Sequence, residues 1–264
     1  MTRHHFSLWL LLAVAFVVFA VASAVGLPEI GGHQLKSSEI SQNIFADRHI
    51  PEEVPADSLA ADSVEEACPT FPMPVDTAAQ RILFIGDSML EGLGPRLAAY
   101  AAKNGHTLYN VVWYSSTSEV WGRSDRLSRY IHDIRPTYVF ISLGANELFV
   151  SDIKNKRRGY VEKIIADIDT IPYLWIGPPN WKPDTGINEL IEESTPEGAF
   201  FLSDGMHFDR ARDGAHPTRA SAIEWMDSVV RWMPAHSLHP IRMERPDVAT
   251  ARPARVFVHQ PNER

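Results

Sequence analysis

The stretch Arg81-Ile-Leu-Phe-Ile-Gly-Asp-Ser-Met-Leu-Glu-Gly-Leu-Gly94 decides the fold of this chain. Its four consecutive apolar residues, Ile82 to Ile85, are typical of a strand buried on both faces, and the pattern after Ser88 is that of a helix. A serine between such a strand and a helix lies where open α/β sheets place their active sites. Its amide has no helical partner and is free to stabilise an oxyanion. On this segment alone, a helix cap formed by Asp87 or Ser88 is an equally good interpretation.

Apolar runs and helix-period segments alternate along the rest of the folded part. The predicted strands are Ile82–Ile85, Leu108–Trp113, Tyr138–Leu143, Tyr173–Ile176 and Ala199–Leu202, and the predicted helices lie near Leu90–Lys103, Asp125–Ile134, Tyr160–Ile168, Asn188–Glu193 and Arg219–Trp232. Strands that alternate with helices indicate a parallel sheet covered on both faces. The predicted fold class is therefore α/β, a three-layer α/β/α sandwich with a central parallel sheet of about five strands.

The amino terminus predicts export. Arg3, His4 and His5 precede an almost uninterrupted apolar run from Phe6 to Leu27, which is long enough to cross a bilayer. The run also contains a small-residue pattern that resembles a signal-peptidase site, so residues 1–27 are either a transmembrane anchor or a cleaved signal peptide. The length of the run favours the anchor. In both cases the positive flank stays in the cytoplasm and the rest is periplasmic or extracellular.

Residues 28–75 are predicted to be an acidic, Pro- and Ser-rich spacer. Ten acidic and two basic residues between positions 26 and 80 account for the formal net charge of −8, so the rest of the chain is nearly neutral. This charge pattern indicates a solvated spacer and gives no basic surface for nucleic acid. The single cysteine, Cys68, excludes an intramolecular disulfide and a multi-cysteine metal site. The folded domain is expected over 76–235, followed by an irregular or surface-packed tail over 236–264.

Three polar segments follow predicted strands or precede the last helix, and together they supply a set of groups for acyl transfer. They are Gly86-Asp87-Ser88, Gly144-Ala145-Asn146-Glu147 and Asp213-Gly-Ala-His-Pro-Thr218. Ser88 would attack a carbonyl, and His216 would accept its proton while Asp213 orients the imidazole. The side chain of Asn146 and the amide of Ser88 would donate hydrogen bonds to the oxyanion.

With Gly86-Asp87-Ser88, Gly144-x-Asn146 and Asp213-x-x-His216 in this order, the chain resembles the SGNH (GDSL-type) hydrolases from about Arg81 to Trp232. The resemblance implies a flavodoxin-like sandwich and ester hydrolysis without a metal or other cofactor. It also implies a further oxyanion donor, a glycine amide after the second strand, at which this chain has Ser118. Serine tolerates a positive φ less well than glycine, so this substitution bears on the conformation of the loop.

A second Asp-x-x-His pair, Asp204 and His207, follows the fifth predicted strand. The resemblance favours Asp213 and His216, because His216-Pro-Thr leads directly into the last helix and His207-Phe208 does not. His207 is expected to be a loop residue near the rim of the site.

Several other polar and aromatic residues have structural interpretations. Asp87 is expected to brace the turn before Ser88, and no catalytic role is assigned to Glu147. Trp113, Trp121 and Trp181 lie in or beside predicted loops at the catalytic end, where they either anchor the loops or stack on sugars. Anchoring is the commoner role. No cluster of residues has the spacing of a metal site.

The leading functional hypothesis is an exported serine esterase that hydrolyses an O-acyl ester, most simply an acetyl ester, on a cell-envelope or extracellular carbohydrate. The carbohydrate part rests on the compartment and on the resemblance. The alternatives are an O-acyltransferase acting on envelope polysaccharide and a non-catalytic envelope carbohydrate-binding protein. The expected partners are an acyl ester or acylated glycan and, through the amino terminus, a membrane.

Overall fold

The computed structural model describes residues 70–261 and residue 263, and six strands within this part form one sheet. The strands are β1 (Arg81–Gly86), β2 (Thr107–Trp113), β3 (Tyr138–Ser142), β4 (Tyr173–Ile176), β5 (Phe200–Phe201) and β6 (Arg255–His259). Their order is β5-β4-β3-β1-β2-β6, and every neighbouring pair is parallel. The predicted α/β class with a parallel sheet is confirmed, with six strands instead of about five.

Helices cover both faces of the sheet. They are α1 (Leu90–Lys103), α2 (Ser118–Arg123), α3 (Arg126–Ile134), α4 (Ile153–Ile168), α5 (Ile187–Ser194) and α6 (Arg219–His236). Alternate residues of β1 point to opposite faces, so Ile82 and Phe84 pack with α1 and α6, whereas Leu83 and Ile85 pack with α2 to α5. A strand buried on both faces is therefore apolar at every position from Ile82 to Ile85, as its sequence predicts.

The chain changes direction across the sheet between β1 and β3. β2 pairs with one edge of β1 and β3 with the other, and Gly86 at the end of β1 is level with Val112 and Ser142. Open α/β sheets bind ligands in the crevice beyond such a point. Only glycine fits at position 86, because a Cβ there would lie 2.3 Å from the carbonyl oxygen of Ser142. The chain thus leaves β1 closely packed against β3 before it reaches Ser88.

The tail after α6 is not irregular throughout, which corrects the expectation for residues 236–264. Residues Arg255–His259 form β6, which pairs with β2 and extends the sheet. Both valines of β6 are about half exposed, because the strand lies at the edge of the sheet. An edge strand with charged or polar ends, in a segment rich in proline and arginine, gives only a weak sequence pattern.

Part of the sequence interpretation falls on residues that the structure does not describe. The predicted anchor or signal segment 1–27, the spacer up to residue 69 and Cys68 all lie outside the described residues. Among the helices of residues 70–261, none is long and apolar enough to span a membrane.

Candidate active site

Ser88 lies in the turn that joins β1 to α1. The Asp87 amide donates to the carbonyl of Ser142 on β3 at 3.3 Å, and the carbonyl of Ser88 accepts from the Glu91 amide at 3.1 Å as the helix begins. Within the described residues, no acceptor lies within hydrogen-bonding distance of the Ser88 amide. The serine therefore presents a hydroxyl and a free N–H at the end of the central strand.

His216 and Asp213 complete a hydrogen-bonded chain with Ser88. The Nε2 atom of His216 lies 2.8 Å from Ser88 Oγ, and Nδ1 lies 2.8 Å from Asp213 Oδ2. With Nδ1 protonated and donating to the carboxylate, Nε2 is left as the acceptor for the serine proton. The structure thus brings together the three residues to which the sequence analysis gave nucleophile, base and orienting roles.

Asp213 is held in its charged form by the turn that it closes. Its Oδ1 accepts from the amides of Ala215 at 2.9 Å and His216 at 3.0 Å. These backbone hydrogen bonds, together with the bond to the imidazole, lower the pKa of Asp213 from 3.8 to about 2. The carboxylate is therefore ionised at every pH at which His216 would act as a base.

Arg210 supports the histidine loop, and the sequence analysis did not identify it. Its Nη1 donates to the carbonyl of Ala215 at 2.8 Å, and its Nη2 donates to the carbonyls of Pro179 at 2.9 Å and Asn180 at 3.0 Å. One guanidinium thus ties the loop before α6 to the loop after β4. An arginine whose hydrogen-bond acceptors are all backbone carbonyls leaves no pattern of paired charges in the sequence.

Asn146 lies beside the nucleophile, in contact with Asp87 and the loop after β2. Its Nδ2 donates to the carbonyl of Ser116 at 3.0 Å and to Asp87 Oδ2 at 3.3 Å. The distance of 3.3 Å to Asp87 is at the long end for an N–H···O bond. The hydrogen of Nδ2 that points to Asp87 is therefore the one that a better acceptor would take. The structure thus places this side-chain donor against the turn that carries Ser88, and its role toward an oxyanion stays a prediction.

Asp87 braces the turn, as the sequence analysis expected. Its Oδ1 accepts from the Met89 amide at 2.9 Å, and its side chain is almost fully buried. Burial outweighs this hydrogen bond and the nearby His216, and it raises the pKa of Asp87 from 3.8 to about 7. Asp87 is thus a buried carboxyl group that changes charge near neutral pH, one residue from the nucleophile.

The position of Ser118 corrects its expected role in the oxyanion hole. Its amide donates to Glu147 Oε2 and its hydroxyl donates to Glu147 Oε1, both at 2.8 Å. Ser118 begins α2 and is buried, so its amide is already occupied and is not available to a substrate. The loop instead adopts a left-handed conformation at Ser115, where φ is 56°. The amides of Ser115 and Thr117 have no acceptor among the described residues, so both are available as backbone donors in this loop.

Glu147 has a structural role. It is fully buried and accepts from both polar groups of Ser118 and from Arg157 Nε at 2.8 Å. Burial raises its pKa above the ordinary value in spite of these partners. Because it directly follows Asn146, this network fixes the loop that carries the amide.

The second Asp-x-x-His pair is not assembled. The His207 side chain is 92% exposed and lies 3.6 Å from Asp209, whereas Asp204 accepts from Asn180 at 3.2 Å. His207 therefore belongs to an exposed loop, and the pair that contacts Ser88 is Asp213 and His216.

The three tryptophans anchor loops. Trp113 and Trp121 are buried, and the indole N–H of Trp121 donates to Ser116 Oγ at 3.0 Å. Trp181 is partly buried and donates to the carbonyl of Ala145 at 2.9 Å. Within residues 70–261 and 263, no group of three or more His, Cys, Asp or Glu residues is arranged to hold a metal ion.

No protein-family model matches the sequence, and no curated protein matches it significantly. Solved structures do match. The psychrotrophic esterase EstA from Pseudoalteromonas sp. is 20% identical with a TM-score of 0.43, and the match covers 57% of this chain and 94% of that one. The lipase/acylhydrolase from Enterococcus faecalis is 19% identical with a TM-score of 0.47, and the match covers 58% of this chain and 95% of that one. A putative lipolytic protein of the G-D-S-L family from Desulfitobacterium hafniense is 14% identical with a TM-score of 0.40, and the match covers 57% of this chain and 98% of that one. Each of these matches spans somewhat more than half of this chain and nearly all of the solved structure, with a TM-score below 0.5.

Proposed function

We propose that this protein is a serine hydrolase of carboxylic esters. The observation that carries the proposal is the continuous chain of hydrogen bonds from Ser88 Oγ through His216 to Asp213, at the carboxyl end of the central strand. Ser88 Oγ bonds to the ester carbonyl carbon while His216 Nε2 takes its proton. The Ser88 amide, Asn146 Nδ2 and the amides of Ser115 and Thr117 are the donor candidates for the resulting oxyanion.

His216 then returns the proton to the leaving alcohol, and the carbon–oxygen bond of the ester breaks to leave an acyl group on Ser88. In the second half of the reaction, His216 removes a proton from water as the resulting hydroxide attacks the acyl carbon. The bond between that carbon and Ser88 Oγ then breaks, and His216 returns the proton to Oγ, which restores the Ser88 hydroxyl and releases the acid. The acetate and alcohol products account for all atoms of ester and water, so no redox or metal chemistry is required. Throughout, Asp213 holds the imidazole in one orientation.

The proposed substrate is an O-acetyl ester of an envelope or extracellular carbohydrate. Support for the location comes from the apolar run Phe6–Leu27 behind a positive flank. Protease treatment of spheroplasts that express the full chain tests it: digestion of the folded domain is expected, and full protection would contradict export.

Replacement of the nucleophile tests the reaction. We expect Ser88→Ala to lower hydrolysis of p-nitrophenyl acetate by the full chain at least about a thousandfold, because the nucleophile is lost. A fluorophosphonate probe should label the wild-type protein and fail to label the variant. Ser228→Ala is the matched control, since its hydroxyl lies on α6 and donates to the carbonyl of Glu224. Undiminished hydrolysis by Ser88→Ala would overturn the proposal.

A further inference from the structure

A cavity of about 430 Å³ opens beside the nucleophile, between the first turns of α1 and α6. Ser88 and His216 line it together, whereas Asn146 is not among its lining residues. This volume is within the range of small-molecule sites and far exceeds the needs of an acetyl methyl group. The cavity is therefore large enough for a ring-sized part of a substrate.

The orientation that the ester needs for the reaction identifies which part of it enters this cavity. The carbonyl oxygen points to the donors near Asn146, and the leaving oxygen must lie near His216 Nε2 to receive its proton. His216, Pro217 and the start of α6 form one side of the cavity. The alcohol part of the ester is thus the part on the cavity side.

The lining combines apolar surface with two opposite charges. Met89, Pro95 and Ala222 provide the apolar part, and Glu91 and Arg219 contribute one carboxylate and one guanidinium from the first turns of the two helices. The Tyr114 hydroxyl donates to Oε1 of Glu91, which leaves Oε2 without a protein donor in the described part of the chain. The carboxylate accepts hydrogen bonds and the guanidinium donates them, so together they fit a neutral alcohol with several hydroxyls. An anion fits less well, because Glu91 would repel it.

The C-terminal segment, residues 237–261 after α6, forms the remaining wall of the cavity. Thr250 lines the cavity and accepts from Arg219 Nη2 at 2.7 Å. The flanking backbone is fixed, because the Ala251 amide donates to the carbonyl of Pro95 at 2.8 Å and Arg96 Nη1 donates to the carbonyls of Val248 at 2.8 Å and Ala249 at 3.1 Å. The wall is thus preformed, and the position of Arg219 depends on it.

We propose that this cavity is the binding site for the alcohol part of the substrate and that it selects a neutral, polyhydroxylated ring through Glu91, Arg219 and Thr250. The inference rests on the proposed ester hydrolysis and adds to it the residues that select the alcohol and the requirement that this alcohol is uncharged. The apolar surface contacts the C–H face of the ring, Glu91 accepts from hydroxyls and Arg219 donates to them.

Kinetics on three acetyl esters test the selection. The esters are methyl 6-O-acetyl-glucopyranoside, the apolar hexyl acetate, and the anionic methyl 4-O-acetyl-glucuronoside. We expect the full chain to prefer the glucopyranoside, and Glu91→Gln/Arg219→Gln to raise its KM about tenfold, equivalent to about 1.4 kcal/mol, with kcat nearly unchanged. Thr250→Ala should act in the same direction, and the KM for hexyl acetate, which offers these side chains no hydroxyl, should rise much less.

Arg231→Gln is the matched control, because Arg231 lies on the same helix in an exposed pair with Glu224 outside the cavity. An equal loss on hexyl acetate and on the glucopyranoside would overturn the proposal, because the two side chains would then act on the reaction in general. Preference for the glucuronoside, abolished by Arg219→Gln alone, would overturn the assignment of a neutral ring.

A binding measurement separates this proposal from the proposed reaction. In Ser88→Ala, saturation-transfer NMR should detect the acetylated glucopyranoside, and the signal should disappear in Ser88→Ala/Glu91→Gln/Arg219→Gln. Loss of the signal with the added substitutions supports the alcohol site even if the wild-type protein fails to hydrolyse any ester. Absence of the signal in Ser88→Ala at millimolar ester overturns the alcohol site even if hydrolysis depends on Ser88.

Discussion

Asp87 precedes Ser88 and contacts Asn146, and its carboxyl group is both a hydrogen-bond acceptor and a buried charge. As an acceptor it holds the Met89 amide at 2.9 Å and Asn146 Nδ2 at 3.3 Å. As a charge it is unfavourable, because its side chain is almost completely removed from water and its pKa rises to about 7. The protein thus retains at this position a carboxylate that costs free energy in the neutral range.

The folded-state pKa of Asp87 lies above its ordinary value of 3.8, so the folded protein binds this proton more tightly than the unfolded chain does. Its contribution to stability is complete below about pH 4 and is lost as the pH rises to about 7. Relative to wild type, Asp87→Asn should therefore gain unfolding free energy between pH 4 and pH 8, by as much as about 4 kcal/mol. Urea unfolding of both proteins across this range measures the difference.

The exposed Asp247, which pairs with Lys103, provides the control for this experiment. Asp247→Asn should change the unfolding free energy by less than about 0.5 kcal/mol, because an exposed ion pair contributes little. A difference between Asp87→Asn and wild type that stays constant from pH 4 to pH 8 would mean that Asp87 does not titrate in this range in the folded protein.

At the scale of single residues, the assembly of the polar side chains could be predicted from the sequence, and the availability of backbone amides could not. Ser88, Asn146, Asp213 and His216 carry chemistry that their residue types reveal, and the structure places all four at one end of the sheet. The expected donor Ser118 is buried against Glu147, because which amide of a loop is free depends on φ and ψ and not on residue type. The sequence contains no direct signal for such a donor.

The loop after β3, the start of α2 and the helix α4 are joined through one buried carboxylate. Glu147 accepts from Ser118 on α2, and Arg157 on α4 contacts Glu147 and Glu119, each at 2.8 Å. Burial of Glu147 is compensated by these partners, so the three elements depend on one another. The network lies next to Asn146 and positions it only indirectly.

Removal of one partner from this network should be costly. Arg157→Met leaves Glu147 buried without its cation, and we expect a loss of about 3 kcal/mol in unfolding free energy. Adding Glu147→Gln should recover part of this loss, because the uncompensated charge is then absent. Urea unfolding measures both effects, and Arg158→Met, which removes an exposed pair with Glu193, should cost less than about 0.5 kcal/mol. Equal effects of Arg157→Met and Arg158→Met would contradict this account.

The prediction of strands and helices succeeded where the element is completely buried and was weaker where it is only partly buried. All five predicted strands are present, since strands buried on both faces are recorded as continuous apolar runs. α4 begins at Ile153 instead of near Tyr160. The sequence did not reveal its first turns, because Lys154–Gly159 is polar and has no apolar period. The six-residue helix α2 is too short for periodicity to be detected.

Across the whole described molecule, the C-terminal segment links parts that are far apart in sequence. The buried pair of Arg96 on α1 and Asp227 on α6 is joined by the Tyr100 hydroxyl at 2.9 Å, and Arg96 also binds the carbonyls of Val248 and Ala249. The segment then passes the cavity and ends as β6 on the edge of the sheet. Long-range contacts of this kind have no local pattern, so sequence periodicity could not predict them.

Truncation after Pro253 tests what β6 does for the whole molecule. Without β6, the N–H and C=O groups along one edge of β2 lose their partners, and this edge includes the buried, apolar residues Val111 and Val112. An unpaired apolar edge strand associates with other copies, so we expect the truncated protein to elute as larger species in size-exclusion chromatography and to unfold at a lower temperature. Arg231→Gln, which changes an exposed side chain on α6, is the control and should change neither property. A truncated protein with the elution volume and melting temperature of the full chain would show that β2 is stable as the edge of the sheet. In that case the role of the C-terminal segment would be confined to the wall that it forms at Thr250.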